Sequence, residues 1–151
     1  MAIRLSCVGS EFMGAITAKD ESKIQEMISP QIVFITNRET LGAQGESEYL
    51  ARIREMWEKT IEYKYSAYKY RELDNKLEIT FEQICVVKEG DQNVVLLKRG
   101  MQTLDFDHQK IVEIYEEENV TSLSEQEYAA RVAKIHQQKA RVSPLCCCSI
   151  L

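Results

Sequence analysis

The sequence predicts an α+β domain with helices packed in a strongly bent antiparallel sheet (a cone), then a C-terminal helix and a flexible tail. The first sixty residues carry apolar residues at helical spacing, whereas residues 61–117 mostly alternate with a period of two. A chain of 151 residues, 44% of them hydrophobic, is sufficient for one core. We therefore predict a cone-shaped domain at 1–121, a helix at 122–142 and a tail at 143–151.

The N-terminal part predicts helices that lead into a short strand. Ser10 is placed to cap a first helix, and Asp20 a second one that Pro30 stops. In chain order, the predicted elements are helices within 9–30, a strand at 31–36, a loop at 37–47, a helix at 47–60, strands at 61–73, 76–89, 94–106 and 110–117, and a helix at 122–142.

The long strands carry two irregularities. Tyr63 and Tyr65 share one face of an alternating pattern, whereas Tyr68 and Tyr70 share the other, which predicts a β-bulge near 66–67. These tyrosines suit a sheet-stabilising role or a dimer face. The glycine at position 100 predicts a kink in its strand. A meander with such bends would close around helices and leave an internal cavity.

Composition and charge exclude several classes of function. The net charge of −5 argues against a nucleic-acid partner, which requires a concentrated basic face. No apolar run approaches the roughly 20 residues of a bilayer span, and the N-terminus does not resemble a secretory signal. N-myristoylation requires glycine after the first Met, and this sequence has Ala2 there. We expect synthesis in the cytosol. His108 and His136 are isolated, so neither a metal nor another cofactor is predicted.

Three stretches resemble the nuclear transport factor 2-like superfamily, which includes ketosteroid isomerase and polyketide-cyclase-like proteins. They are "KDESKIQEMISPQIVFIT", "GESEYLARIREMW" and "LDFDHQKIVEIYEEEN". The likeness covers roughly residues 8 to 120. It implies a bent sheet with helices closing a cone-shaped pocket, and a homodimer formed through the sheet.

The same resemblance places the catalytic positions of ketosteroid isomerase near Thr36, Phe12 and Gln102. These positions would be its base, its oxyanion-binding Tyr and its oxyanion-binding Asp, and the residues present cannot perform those roles. We therefore predict no catalytic residue, and expect Phe12, Thr36, Trp57 and Gln102 to line the cavity. The alternative is that Phe12 and Trp57 are ordinary core residues.

An enzyme would require an acid–base group inside the cone. The strand carboxylates considered for this role are Asp105 and Glu82, and either can face solvent. The three consecutive glutamates at 116–118 are interpreted as a solvated charge run. A buried carboxylate with a raised pKa that faces the pocket would favour an enzyme, whereas a neutral, apolar pocket would exclude one.

The stretch "SPLCCCSIL" at the end of the sequence resembles a C-a-a-X prenylation signal. Cys148 would carry the prenyl group, which Leu151 predicts to be geranylgeranyl, and Cys146 and Cys147 are candidates for palmitoylation. Stable anchoring usually takes a second signal, and basic residues near an anionic leaflet can supply it. The basic residues preceding the tail are Arg131, Lys134, Lys139 and Arg141.

These observations leave alternative functions open. The favoured hypothesis is a non-enzymatic module that binds a protein partner or an apolar ligand. A prenyltransferase would tether it to the cytosolic face of a membrane, in a eukaryote or as a bacterial effector delivered into a host cell. The alternative is a small-molecule isomerase, cyclase or dehydratase that uses the cone pocket. In a third hypothesis, the cone holds a prenyl group, its own or a partner's.

Overall fold

A computed structural model describes residues 4–38 and 42–141, without the side chains of 139–141. It confirms the predicted α+β fold, a six-stranded curved sheet with four helices. The elements are α1 (Leu5–Ala18), α2 (Glu21–Met27), β1 (Ile28–Thr36), β2 (Ala43–Gln44), α3 (Glu46–Lys59), β3 (Thr60–Leu73), β4 (Lys76–Glu89), β5 (Gln92–Asp107), β6 (Lys110–Ser122) and α4 (Glu125–Arg141).

The sheet has the strand order β2-β1-β6-β5-β4-β3. The long strands β3 to β6 form an antiparallel meander, as their alternating patterns predict. The pairing of β1 with β6 is parallel, which the sequence did not indicate. This pairing sets the end of β1 beside the second half of β6, and it is the contact that assembles the polar part of the cavity.

The main core lies between the concave face of the sheet and helices α1 to α3. Side chains from all of these layers are fully buried, and each contributes about 1.5–3 kcal/mol relative to an exposed position. The largest fully buried members of this core are Phe12, Ile24, Ile32, Leu77, Ile79, Leu104, Ile111 and Ile114. Along β4 the odd-numbered residues face this core, which fixes the concave face for all neighbouring strands.

The start of α1 corrects one prediction. The helix begins at Leu5, so Ser10 lies inside it and does not cap it. Gly9 is buried where α1 approaches the sheet, and a Cβ atom there would lie 2.2 Å from the Leu77 Cδ2 atom. The Asp20 cap of α2 is confirmed, because its side chain accepts a hydrogen bond of 3.2 Å from the Lys23 N–H.

The irregularity predicted in β3 is present but lies earlier in the strand. The register with β4 shifts between Thr60 and Glu62 and again between Tyr63 and Tyr65. Tyr63 pairs with Cys85 and Tyr65 with Ile84, so the prediction that these two tyrosines share a face is wrong. The bulge instead turns the Tyr63 side chain towards the concave face.

Helix α4 packs on the outer face of the sheet. Ser124 caps this helix, because its hydroxyl accepts a hydrogen bond of 3.1 Å from the Glu127 N–H. Arg131 forms an ion pair of 3.4 Å with Glu82, which lies on the opposite face of β4 from the core. The Lys64 ammonium lies 5.4 Å from the centre of the Tyr128 ring.

The four basic residues predicted to face a membrane all lie within α4. Lys134 is exposed, whereas Arg131 is half-buried against the sheet, so its charge is already partnered. The side chains of Lys139 and Arg141, and the whole segment 142–151 with its three cysteines, lie outside the described residues. None of the helices in the described ranges is both long and apolar enough to cross a bilayer.

Candidate functional site

A cavity of about 490 Å³ lies between the concave face of the sheet and helices α1 and α3. Its helical side is mostly apolar, and its sheet side carries a group of polar residues. The apolar lining residues are Phe12, Met13, Ile16, Phe34, Ile53, Met56 and Phe81. The polar lining residues are Thr36, Arg38, Tyr49, Arg52, Glu55, Lys59, Tyr63, Gln83, Lys98, Gln102, Glu116 and Glu118. Of the polar residues, Arg38, Glu55 and Lys59 are exposed, which places the opening of the cavity near them.

Strand register brings the polar residues into cross-strand rows. Thr36 pairs with Glu116, and Gln102 pairs with Glu116 from the other side, so three neighbouring strands place one row in the cavity. Two rows away along β5, Lys98 pairs with Gln83. Because the side-chain period of a strand is two, these residues share the concave face with the core.

Glu116 is a carboxylate of the cavity whose pKa is strongly raised. Burial, followed by the nearby charge of Glu118, raises its pKa from 4.5 to about 7. The Gln102 side-chain amide donates a hydrogen bond to the Glu116 carboxylate. This hydrogen bond and the charge of Lys98 lower the pKa of Glu116, but by less than burial and Glu118 raise it. Glu116 can therefore take up and release a proton near neutral pH.

The turn after β1 holds the second carboxylate in place. The Arg38 guanidinium contacts the Glu118 carboxylate at 3.0 Å, and the Glu118 side chain is only 11% exposed. The Asn37 side chain accepts a hydrogen bond of 3.0 Å from the Glu118 N–H, and the Asn37 N–H donates one of 3.1 Å to the Glu116 carbonyl. The charge of Glu118 is thus kept beside Glu116.

Two buried polar atoms in the cavity lining are left without partners. The Oε1 atom of Gln102 accepts no hydrogen bond from the described part of the chain. The Tyr63 hydroxyl makes no hydrogen bond of normal geometry within the same residues, although Thr60 lies near it. Burial raises the pKa of Tyr63 to about 12, so it remains a donor. Because buried polar atoms are seldom left unpaired, these two are positions at which a bound molecule could make polar contacts.

Three of the four residues predicted to line the cavity do so. Phe12, Thr36 and Gln102 lie in its lining. Trp57 does not, because its indole N–H donates a hydrogen bond of 2.9 Å to the Ile16 carbonyl and its ring packs against the core. The alternative of a core role therefore holds for Trp57, and Phe12 is both a cavity-lining and a core residue.

The interpretation of residues 116–118 as a solvated charge run is wrong for Glu116. Glu117 is exposed, but its two neighbours point into the cavity. Alternation from the buried Ile114 would have placed Glu116 on the inner face within the predicted strand, and extension of that strand beyond residue 117 would have added Glu118. Tyr63 and Lys98 were missed because bulges and cross-strand pairing, which the sequence does not specify, turn them inward.

The carboxylates proposed from the sequence lie elsewhere. Asp105 is 3.8 Å from the Lys76 ammonium, and Glu82 is shared between Arg99 and Arg131 on the outer face. Neither lines the cavity. Within residues 4–38 and 42–141, no cluster of three His, Cys, Asp or Glu side chains could hold a metal ion.

Solved structures share this fold at low sequence identity. A protein described as a SnoaL-like polyketide cyclase from Shewanella denitrificans aligns with a TM-score of 0.69 at 12% identity, over 85% of this chain and 96% of that one. An LEH-like epoxide hydrolase from M. tuberculosis aligns with a TM-score of 0.58 at 10% identity, over 73% and 78%. A cystatin-like protein from Xanthomonas campestris aligns with a TM-score of 0.62 at 17% identity, over 85% and 97%.

These likenesses define the fold class as the cystatin-like cone of nuclear transport factor 2-like proteins. No protein-family model matches the chain, and no curated protein sequence matches it significantly.

Proposed function

We propose that this protein catalyses proton transfer on a small organic molecule held in the cone cavity, with Glu116 as the general base and acid. The observation that carries this proposal is a carboxylate in the cavity whose pKa is raised to about 7. A base is most effective when its pKa lies near the working pH. A carboxylate with a raised pKa that faces the pocket is the feature expected to favour an enzyme over a binding module, and Glu116 has it.

The neighbours of Glu116 support such a role. The Gln102 amide fixes the orientation of the carboxylate, while Glu118, held by Arg38, keeps its pKa raised. When ionised, Glu116 would remove a proton from the substrate, and the protonated form would return it to another atom of the same molecule. The chemistry is that of an isomerase, cyclase or dehydratase. Solved structures of this fold named as cyclases and isomerases favour the same class.

The competing hypotheses fit the cavity less well. A module for apolar ligands would favour a neutral lining, but Lys98, Glu116 and Glu118 all face this cavity. The same charges oppose a long isoprenoid chain, which would desolvate them without making hydrogen bonds.

The proposal predicts catalysis of the Kemp elimination of 5-nitrobenzisoxazole. In this reaction the base removes the proton on C3, the N–O bond breaks, and a cyanophenolate is released with the electron pair on oxygen. The rate should rise with pH as Glu116 ionises near 7. The Glu116→Gln variant should lose about 100-fold or more, the usual contribution of a general base. Phenolate absorbance measures both rates.

The matched control is Glu117→Gln, because Glu117 lies next in sequence and is exposed. It should retain the wild-type rate and pH profile. A Glu116→Gln variant that folds and keeps its rate, or a wild-type rate that does not titrate between pH 6 and about 8, would contradict a catalytic base at this position.

We also propose that the tail carries a prenyl group on Cys148 and holds the domain at the cytosolic face of a membrane. The support is the sequence alone, which ends "CCCSIL" after a helix with Arg131, Lys134, Lys139 and Arg141. A single lipid chain gives only marginal binding, so palmitoylation of Cys146 or Cys147 would supply the second signal. A membrane location would bring the cavity to amphipathic substrates.

The tail proposal predicts that Cys148→Ser moves the protein from the membrane to the soluble fraction of eukaryotic cells. Intact mass should show one prenyl group on the wild type and none on the variant. Cys7→Ser is the control, since Cys7 is an exposed cysteine of α1 outside the tail. If Cys148→Ser partitions with membranes as the wild type does, the anchor is not at this residue.

A further inference from the structure

The cavity contains a cationic group without a close counter-ion. Lys98 lines the cavity and is half-buried, and no carboxylate of the described residues lies within 4.0 Å of its ammonium nitrogen. Two other cations of the lining form ion pairs, since Arg38 contacts Glu118 and Lys59 contacts Glu55 at 3.1 Å. The charge of Lys98 acts on Glu116 without forming such a pair. A partly desolvated ammonium in this position favours an anion.

The polar groups around Lys98 complete an anion site. Gln83 lies directly opposite Lys98 on β4, and its amide nitrogen is 3.4 Å from the Ser66 hydroxyl. The buried Tyr63 hydroxyl, a donor, also lines this cavity and lies one row further along the strands. A carboxylate could accept hydrogen bonds from both the ammonium and the phenol, and such charge-assisted bonds are among the strongest in proteins.

The separation between this site and Glu116 sets the length of the ligand. Lys98 and Gln102 are two rows apart on β5, about 13 Å of strand at 3.3 Å per residue, and the Lys98 side chain can span part of it. The intervening row holds Gly100, which the backbone of β6 approaches closely, together with Phe81 and Glu118, which line the cavity. The apolar residues of α1 and α3 face this space and suit a hydrocarbon body.

We propose that the ligand of this cavity is a small amphipathic carboxylate, with its anionic group at Lys98 and Tyr63 and its reacting carbon or hydroxyl at Glu116 and Gln102. The substrate class rests on the proposed function, but the anion site can be tested separately. The unpartnered Gln102 Oε1 atom would accept a hydrogen bond from the reacting end of the ligand.

The test compares 3-phenylpropanoate with 3-phenylpropanamide, which have the same shape but differ in charge. Calorimetric titration of the full chain near pH 6, where Glu116 is mainly protonated, should give at least about tenfold tighter binding of the carboxylate. Lys98→Met should remove this preference by weakening the carboxylate alone, and Lys98→Arg should retain most of it. Lys69→Met is the control and should change neither affinity, because Lys69 is an exposed lysine of β3 outside the cavity lining.

Equal binding of the two probes, unchanged carboxylate affinity in Lys98→Met, or no binding of either probe up to about 10 mM would overturn the anion site. The Glu116→Gln variant separates this result from the catalytic proposal. It should still bind 3-phenylpropanoate while losing the Kemp elimination. If Glu116→Gln keeps the Kemp rate but Lys98→Met loses the carboxylate, the anion site stands and the catalytic base does not.

Discussion

Replacement of Glu116 by Gln is expected to stabilise the protein above neutral pH while it removes activity. The pKa of Glu116 is about 7 in the folded chain and 4.5 as its ordinary value, so the folded state binds more protons between these two pH values. The free energy of unfolding therefore decreases as the pH rises from 4.5 to 7. A shift of this size corresponds to at most about 3 kcal/mol.

Several charged or polar groups face Glu116. They are Glu118 on the same strand, Gln102 and Lys98 on β5, Arg38 after β1 and the buried Tyr49 of α3. Lysine, arginine and tyrosine side chains keep their protonation state between these pH values. The pH dependence of stability at this site is thus assigned to Glu116, whose pKa the nearby charge of Glu118 helps to raise.

Thermal unfolding of wild type and Glu116→Gln from pH 4 to about 8.5 measures this effect. Gln keeps the shape of the side chain but cannot ionise, so the two melting temperatures should diverge with rising pH in favour of the variant. For a chain of this size, 1 kcal/mol corresponds to roughly 2–4 °C. Glu117→Gln should follow the wild type, and parallel melting curves for Glu116→Gln and wild type would refute the raised pKa.

A residue that weakens the fold at neutral pH requires an explanation. Glu116 lies one row along β6 from Ile114, on the same face of the sheet. Ile114 pairs with Leu104, and both of these apolar side chains are fully buried. A glutamine or leucine there would avoid the desolvation of a carboxylate. Strongly shifted acidic groups concentrate at functional sites, where stability and activity oppose one another. The position of Glu116 therefore agrees better with catalysis than with packing.

The fold was largely predictable because its signals are local. The alternation in β4 and the apolar stripe of α3 each specify an element without reference to the rest of the chain. The start of α1 was misplaced because Ser10 resembles a cap, whereas packing against the sheet extends the helix back to Leu5. The parallel β1–β6 pair, which completes the site, depends on contacts far apart in sequence.

The site was predictable only in part, for the same physical reason. Thr36 and Gln102 could be placed in the cavity through the resemblance, which fixes positions but not chemistry. Glu116 was missed because three adjacent glutamates resemble a solvated charge run. The strand pairing shows that Glu116 and Glu118 face the cavity. Its acidity arises from desolvation and from Glu118, so it is a property of the assembled sheet rather than of the sequence motif.

Replacement of Gly100 by alanine is expected to destabilise the protein, whereas the same change at Gly14 should stabilise it. A Cβ atom at Gly100 would lie 2.0 Å from the Glu117 carbonyl oxygen and 2.9 Å from the Glu118 Cα atom, so β5 and β6 would have to separate. Overpacking of this kind costs about 1–3 kcal/mol or more. Gly14 lies exposed in α1 with nothing within 4 Å, and Ala is preferred over Gly in helices by up to about 1 kcal/mol.

Chemical denaturation of the two variants tests this difference in sign. Gly100→Ala should also lower the Kemp rate of the folded protein, because the strand that moves carries Glu116 and Glu118. Gly14→Ala should leave this rate unchanged. If Gly100→Ala unfolds at the same denaturant concentration as the wild type, the close approach of β5 and β6 at Gly100 does not contribute to stability. If it is destabilised with a normal rate, Gly100 serves the fold alone and the geometry of Glu116 is set by the turn at Asn37 and Arg38.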